Sequence, residues 1–304
     1  MTEIASVSLS RPLAELSQEL GDSFEEFGFA IVRDHGVPQD LIHGAEDKAK
    51  AFFALPEPVK LQYKIPGGGG ARGYTPFGIE TAKGAAARDL KEFWHIGREL
   101  PKGDRLERFM APNVWPAEVL GFRETFEELY AALEKSGLRI LSAIALHLGL
   151  PEHYFDATVE NGNSVLRLLH YPPISEAAEG EIRAAAHEDI NTITLLLGAE
   201  EAGLQLLSKQ GEWLPVSPPP GALAVNIGDM LQRLTAGRMR STTHQVVNPV
   251  GPAARRARYS MPFFLHFRPD FLIDSEEELG VTRREDPITA HEYLEERLRA
   301  IKLV

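Results

Sequence analysis

Past residue 160 the apolar side chains of this chain stop recurring at helical intervals. They come instead in short runs closed by turn formers. Ser164-Val165-Leu166-Arg167-Leu168-Leu169, Thr192-Ile193-Thr194-Leu195-Leu196-Leu197 and Gly203-Leu204-Gln205-Leu206-Leu207 are followed by Ala222-Leu223-Ala224-Val225-Asn226 and Arg258-Tyr259-Ser260-Met261-Pro262-Phe263-Phe264, each bounded by Gly, Pro, Asn or Asp. Many short strands at close spacing predict a mainly β core, a sandwich or jelly roll, rather than alternating strand and helix units.

Before residue 160 the period is that of helices. Leu41, Ile42, Ala45, Ala49, Phe52 and Phe53 form an apolar stripe after Val37-Pro38, and Phe27 to Val32 reads as a short strand. Phe122, Phe126, Leu129, Leu133, Ile140, Leu141 and Ile144 predict one long helix between Ala117 and Leu150, or two with a break near Gly137. Asp286-Pro287 offers an N-cap and a first-turn proline, opening a helix to about Lys302. Gly67 to Gly70 are consecutive glycines in a segment read as a mobile loop, either an active-site lid or a surface loop. No internal repeat or long linker divides the chain. Residues 1–115 read as an N-terminal α/β region packing on the core, and 116–304 as a helix plus the β core with a C-terminal helix, in one compact unit.

The 304 residues carry 32 basic against 44 acidic side chains, a net charge of −12. Such a balance gives no general attraction to nucleic acid or anionic lipid. No apolar stretch is long enough to span a membrane and no basic leader opens the chain, so a soluble, cytoplasmic protein is expected. Cysteine is absent, which removes disulfides, thiolate metal sites and cysteine nucleophiles.

The chemistry gathers around His187-Glu188-Asp189. In an extended backbone His187 and Asp189 share a face while Glu188 points away. A second histidine, His244, lies in another strand-like segment, Ser241 to Val247. Two imidazoles and one carboxylate make the facial triad that leaves coordination positions open on a non-haem Fe(II) ion. Either histidine alone would more simply be a satisfied structural group. Beyond His244, Arg258 and Ser260 share a strand face and equip it for a carboxylate, with a guanidinium fork and a neighbouring hydroxyl.

Taken in order, His187-x-Asp189, Gly203-Leu204-Gln205, Pro220 to Asp229, Ser241 to His244 and Arg258-x-Ser260 resemble the isopenicillin N synthase-like group of 2-oxoglutarate- and Fe(II)-dependent dioxygenases. The likeness extends to Arg167 to Pro173, to Phe27-Gly28-Phe29 with Asp34 to Val37, to Ala51 to Pro56, Arg72-Gly73-Tyr74 and Glu92-Phe93, and so covers nearly the whole chain. It implies a double-stranded β-helix, a distorted jelly roll, flanked by helices. Iron would be held by His187, Asp189 and His244. The co-substrate 2-oxoglutarate would meet Arg258 and Ser260 with Tyr171 nearby. Its oxidative decarboxylation by O2 would yield succinate, CO2 and the oxidising power to attack an unactivated C–H bond of a small soluble molecule.

Two points stay open in the sequence. Plant relatives commonly carry Asn-Tyr-Tyr-Pro-Pro where this chain has Leu169-His170-Tyr171-Pro172-Pro173, so a plant-type substrate does not carry over. The Arg-x-Ser pair also occurs in family members that place a substrate carboxylate there, which keeps a 2-oxoglutarate-independent iron oxidase as an alternative; a non-catalytic jelly-roll binding module is the other. For the substrate pocket the resemblance offers Tyr74. Strand parity with Ser260 offers Phe264, which could equally be a core phenylalanine. Parity with Tyr171 offers Arg167, which would either pair with a carboxylate of the barrel or anchor an anionic substrate.

Overall fold

The computed structural model describes residues 3–66, 70–79, 90–173, 183–198, 203–249, 251–275, 279, 281–282 and 285–300. Its centre is an eight-stranded sheet in the order β1 (Ser6–Ser8), β2 (Phe29–Arg33), β10 (Leu223–Ile227), β7 (Ile193–Gly198), β12 (Arg258–Leu265), β5 (Val165–Tyr171), β4 (Glu92–Gly97), β3 (Gly73–Thr75). A four-stranded sheet, β6 (Ala184–His187), β11 (His244–Val246), β8 (Leu204–Leu207), β9 (Trp213–Pro215), packs against it. All the apolar runs read from the sequence are strands, and β1 to β4 enter the same large sheet as the later ones. Mainly β sheets with flanking helices, in the jelly-roll arrangement, is the fold observed.

Strand alternation sorts the side chains of the large sheet into two populations. Leu166, Leu168, Ile193, Leu195, Leu197, Val225, Met261, Phe263 and Leu265 face outward into one continuous core. Helices α1 (Leu13–Phe27), α2 (Gln39–Phe53) and α4 (Phe122–His147) cover that face. The intervening residues face the small sheet. Phe29, Ala224 and Leu196 meet Ala184, Leu204, Leu206, Val216 and Val246 there, closing one end of the barrel. Fully burying each branched or aromatic side chain contributes about 1.5–3 kcal/mol, so the outward face supplies most of the cohesion and the inward face is released for polar groups.

Helix α4 is single, with no break at Gly137. That glycine lets the helix approach β12: a Cβ there would lie 2.5 Å from Leu265 Cδ1. The C-terminal helix, here α7, runs Ala290–Ala300 and starts later than Asp286-Pro287 suggests. Ile288–Thr289 first pairs with Leu272–Ile273, and the cap is Thr289, whose hydroxyl and N–H both donate to Glu292 while Glu292 N–H donates back. The short sheet pairing won over the first-turn proline. Gly67 to Gly69 lie outside the described residues, and with them much of the loop read as a lid.

Gly137→Val is expected to lower unfolding free energy by about 1–3 kcal/mol through overpacking against Leu265. Urea titration measures it, and metal binding in the same variant should stay near wild type.

Candidate active site

The small sheet sets the two histidines opposite each other. His244 pairs with His187 across β11 and β6, and their ring centroids are 4.4 Å apart. Asp189 follows β6 by two residues, where its carbonyl accepts the Asp229 N–H at 2.7 Å. Its Oδ1 lies 3.8 Å from His187 Nε2 and 3.9 Å from His244 Nε2, and the three ligand atoms fall within 4.8 Å of one another. The sequence-predicted triad is therefore brought together.

The remaining atoms of the triad are already engaged, which orients the open ones. His187 Nδ1 donates to the Ala185 carbonyl at 2.7 Å and His244 Nδ1 to that of Thr242 at 3.0 Å. Each tautomer is thereby set with a lone pair on Nε2. Asp189 Oδ2 accepts from Thr194 Oγ1 at 2.6 Å and Asn226 Nδ2 at 2.8 Å, leaving Oδ1 toward the imidazoles. Burial alone would raise the Asp189 carboxyl; His244 and His187, joined by these two hydrogen bonds, outweigh it and hold it below the usual carboxylate range. Burial, with His244 beside it, pushes His187 down to about 4, so its imidazole is neutral at physiological pH. Two imidazoles and one carboxylate, with their second polar atoms engaged, make a donor set that fits a divalent cation.

Across the barrel, Arg258 and Ser260 are both buried on the inward face of β12. Arg258 pairs in register with Tyr171 and holds its guanidinium 5.3 Å from that ring; Ser260 pairs with Leu169. The Ser260 hydroxyl is buried with no hydrogen-bond partner among the described residues. A buried hydroxyl beside a guanidinium, both facing inward, fits an incoming carboxylate.

Arg167 also faces inward. Its Nε donates to His95 Nε2 at 2.5 Å, and its guanidinium lies 4.4 Å from the Phe93 ring and 5.3 Å from that of Phe264. Phe264 is thus on the pocket side of β12, while its neighbour Phe263 is in the outward core. Tyr74 is a correction. It pairs with Trp94, so it occupies the outward face, and it packs on Phe52 in the helix-covered core. There its hydroxyl donates to Glu92, a buried carboxylate that also meets Lys60 Nζ at 2.7 Å and His170 Nδ1 at 2.6 Å. Burial and Glu92 raise the Tyr74 phenol well above its ordinary range, so it remains a donor. This network ties α3 (Glu57–Lys60) to β3, β4 and β5, away from the pocket.

Sequence reading missed Thr194 and Asn226, the clamps on Asp189; each is a polar residue at an inward position of an apolar strand, which was the available signal. It also missed Arg183, buried 5.9 Å from the Tyr171 ring and four positions before His187. His266, two residues beyond Phe264 and buried, was missed as well.

The comparisons agree with this geometry. Residues 4–118 match the family described as non-haem dioxygenase in morphine synthesis N-terminal, and 162–267 match the 2OG-Fe(II) oxygenase superfamily. The 2-oxoglutarate-Fe(II) type oxidoreductase hxnY of Emericella nidulans is 37% identical over 84% of this chain and 75% of its own. The 2-oxoglutarate-dependent dioxygenase citB of Monascus ruber is 34% identical over 89% and 84%. A 2OG-Fe(II) oxygenase family protein from Caulobacter crescentus superposes with a TM-score of 0.91 at 52% identity, over 99% of this chain and 100% of the other. A Neurospora crassa protein solved in complex with alpha-KG and thymine superposes with a TM-score of 0.87 at 28% identity, over 98% and 96%. The chain belongs to the isopenicillin N synthase-like family of 2-oxoglutarate- and Fe(II)-dependent dioxygenases, enzymes that oxidise small molecules with Fe(II), 2-oxoglutarate and O2.

Two outcomes follow from the clamp and from His266. Asn226→Ala should weaken metal affinity by about 10–100-fold, the usual effect of removing a partner of a metal-ligating carboxylate, while the fold is retained; calorimetric titration with Fe(II) under anaerobic conditions reads it. Burial, reinforced by Arg72 and opposed by Asp189, pushes His266 down to about 4. The unfolded chain binds that proton near pH 6.5, so stability present above 6.5 is lost as pH falls toward 4. Across this window the metal-free protein should lose on the order of 3 kcal/mol more than His266→Phe, measured by chemical denaturation at each pH.

Proposed function

We propose that this enzyme hydroxylates or desaturates a C–H bond of a small soluble molecule, with Fe(II) held by His187, Asp189 and His244 and 2-oxoglutarate by Arg258 and Ser260 beside Tyr171. The observation that carries the co-substrate reading is the buried, unpartnered Ser260 hydroxyl beside inward-facing Arg258. When bound, iron supplies the activation of O2 at the expense of 2-oxoglutarate. The protein's own residues do the rest. Nδ1 bonds to Ala185 and Thr242 hold the imidazoles in register, Thr194 and Asn226 keep Asp189 Oδ1 presented, and three protein ligands leave positions for chelator and O2. The apolar wall of Phe29, Leu196 and Ala224 excludes water beside the metal cluster.

Phe264 and Arg167 form the substrate side of the cavity. The Arg167 guanidinium lies within 5.3 Å of both the Phe93 and Phe264 ring centres, which makes this wall partly polar. The Neurospora crassa neighbour, solved with thymine, supports a small molecule as the occupant of such a cavity. The acidic chain and the lack of any helix long and apolar enough to cross a membrane among the described residues support a cytoplasmic enzyme working on a metabolite.

Purified enzyme with Fe(II) should form succinate slowly from 2-oxoglutarate without added substrate; its absence while O2 is consumed on some substrate selects the 2-oxoglutarate-independent oxidase. Arg258→Gln should raise the dissociation constant for 2-oxoglutarate by about 10–150-fold, corresponding to a charge-assisted bond of about 1.5–3 kcal/mol. Fe(II) affinity should hardly change, and Ser260→Ala should act in the same direction more mildly.

A further inference from the structure

One row beyond Phe264 the barrel holds polar groups that neither the metal cluster nor the Arg258 site employs. The register of β12 sets Phe264 opposite Val165 and Thr194. Two residues on, just past the end of β12, parity puts His266 on the same inward side; its backbone N–H donates to Ser164 Oγ, and Thr192 N–H donates to the Leu265 carbonyl beside it. Gly97, also opposite Val165, has no side chain, and the guanidinium of Arg72 fills the space instead: a Cβ on Gly97 would fall 1.9 Å from Arg72 Cζ and 2.2 Å from its Nε. Arg72 therefore lies inside the barrel, packed against the β4 backbone at Gly97.

These groups are buried and incompletely satisfied. Arg72 is 3% exposed; its Nη1 donates to the Ala71 carbonyl at 2.7 Å and its Nη2 to Asn163 Oδ1 at 3.3 Å. Its Nε has no partner among the described residues, and no described carboxylate hydrogen-bonds it. The carboxylate that bears on it electrostatically is Glu99, which is engaged by Asn113. The Asn163 carbonyl oxygen is turned to Arg72, so its amide N–H groups point elsewhere as donors. His266 is 7% exposed, and its ring makes no hydrogen bond to a described residue; only its backbone N–H is used, toward Ser164 Oγ. The Thr192 hydroxyl is likewise buried without a partner among the described residues. Burying a guanidinium without a counter-ion is costly, and a row of donors around it has the form of an anion cradle awaiting its anion. Arg167, by contrast, is engaged by His95, Phe93 and Phe264.

We propose that Arg72, Asn163 and His266 form a carboxylate-binding subsite, so that the substrate is a small organic acid whose carboxylate lies in this row while its reactive C–H bond lies toward the His187, Asp189 and His244 cluster. The inference rests on the oxygenase reading above and adds the substrate's chemical class. The subsite is separate from that for 2-oxoglutarate. Arg258 and His266 are eight residues apart, roughly 26 Å along an extended strand, too far for one five-carbon diacid to serve both.

The test uses full-length protein loaded anaerobically with Fe(II) and saturating 2-oxoglutarate. Carboxylate and carboxamide pairs of one skeleton are titrated calorimetrically: butyrate, hexanoate, benzoate and 4-methylbenzoate, each against its amide. At least one acid should bind ten-fold or more tightly than its amide. Arg72→Gln should bring that ratio close to one, Arg72→Lys should retain part of it, and His266→Phe should weaken the acid severalfold. Affinity for 2-oxoglutarate should be unchanged in all three. If Arg72→Gln does not fold, Arg72→Lys and His266→Phe carry the comparison. Equal binding of acid and amide in every pair, no binding of any acid, or a preference that survives Arg72→Gln would overturn the subsite. Loss of 2-oxoglutarate binding in the wild-type protein would instead tell against the oxygenase reading on which it rests.

Discussion

A β-strand shows only alternate residues to each side, and in this protein that constraint divides labour between stability and chemistry. Because α1, α2 and α4 cover the outward face of the large sheet, the outward residues can all be apolar and the core closes without help from the pocket. Inward positions are then free to be Thr194, Asn226, Arg258, Ser260 and Arg167, side chains that would be expensive in an ordinary core. Met261 and Phe263 are fully packed among apolar neighbours, while Ser260 between Arg258 and Pro262 keeps a hydroxyl with no partner among the described residues. One strand, β12, thus serves both roles residue by residue.

The metal cluster depends on a second constraint, that each donor atom must have its other polar atoms occupied. Asp189 would present no fixed donor atom if either oxygen could turn to the cation. Thr194 and Asn226, from neighbouring strands β7 and β10, hold Oδ2 from one side, and register places them opposite each other. The backbone does the same for the histidines through carbonyls two residues earlier in each case. Preorganisation of this kind is set by strand pairing and exists without the ion, which lowers the reorganisation needed when it binds.

Legibility in the sequence followed the same division. The β-runs could be read because their apolar residues are contiguous or alternate, and the triad and Arg258-x-Ser260 because parity inside one strand needs no tertiary knowledge. Long helices were equally plain, although the closeness of α4 to β12, which keeps Gly137 inside a continuous helix, is a tertiary fact. Tyr74 failed for a related reason. β3 is three residues long, too short to show which face is inward, and only its pairing with Trp94 reveals that the phenol belongs to the Glu92 network. The start of α7 was obscured because Ile288–Thr289 pairs with a strand of which the chain itself carries little sign.

Arg72 and His266 illustrate a different limit. Arg72 reaches the barrel interior from before β3 by occupying the volume vacated at Gly97, and neither residue signals the other along the chain. The same side chain beside any larger residue at that position would be forced elsewhere, so the glycine is as much a determinant of this end of the pocket as the arginine. A guanidinium is planar, and one packed against backbone has little rotamer freedom left to lose on binding, which favours a planar acceptor over a diffuse one. Gly97→Ala should therefore displace Arg72 and abolish any preference for acids over amides while leaving the metal cluster, whose histidines stand on the opposite sheet, at wild-type affinity.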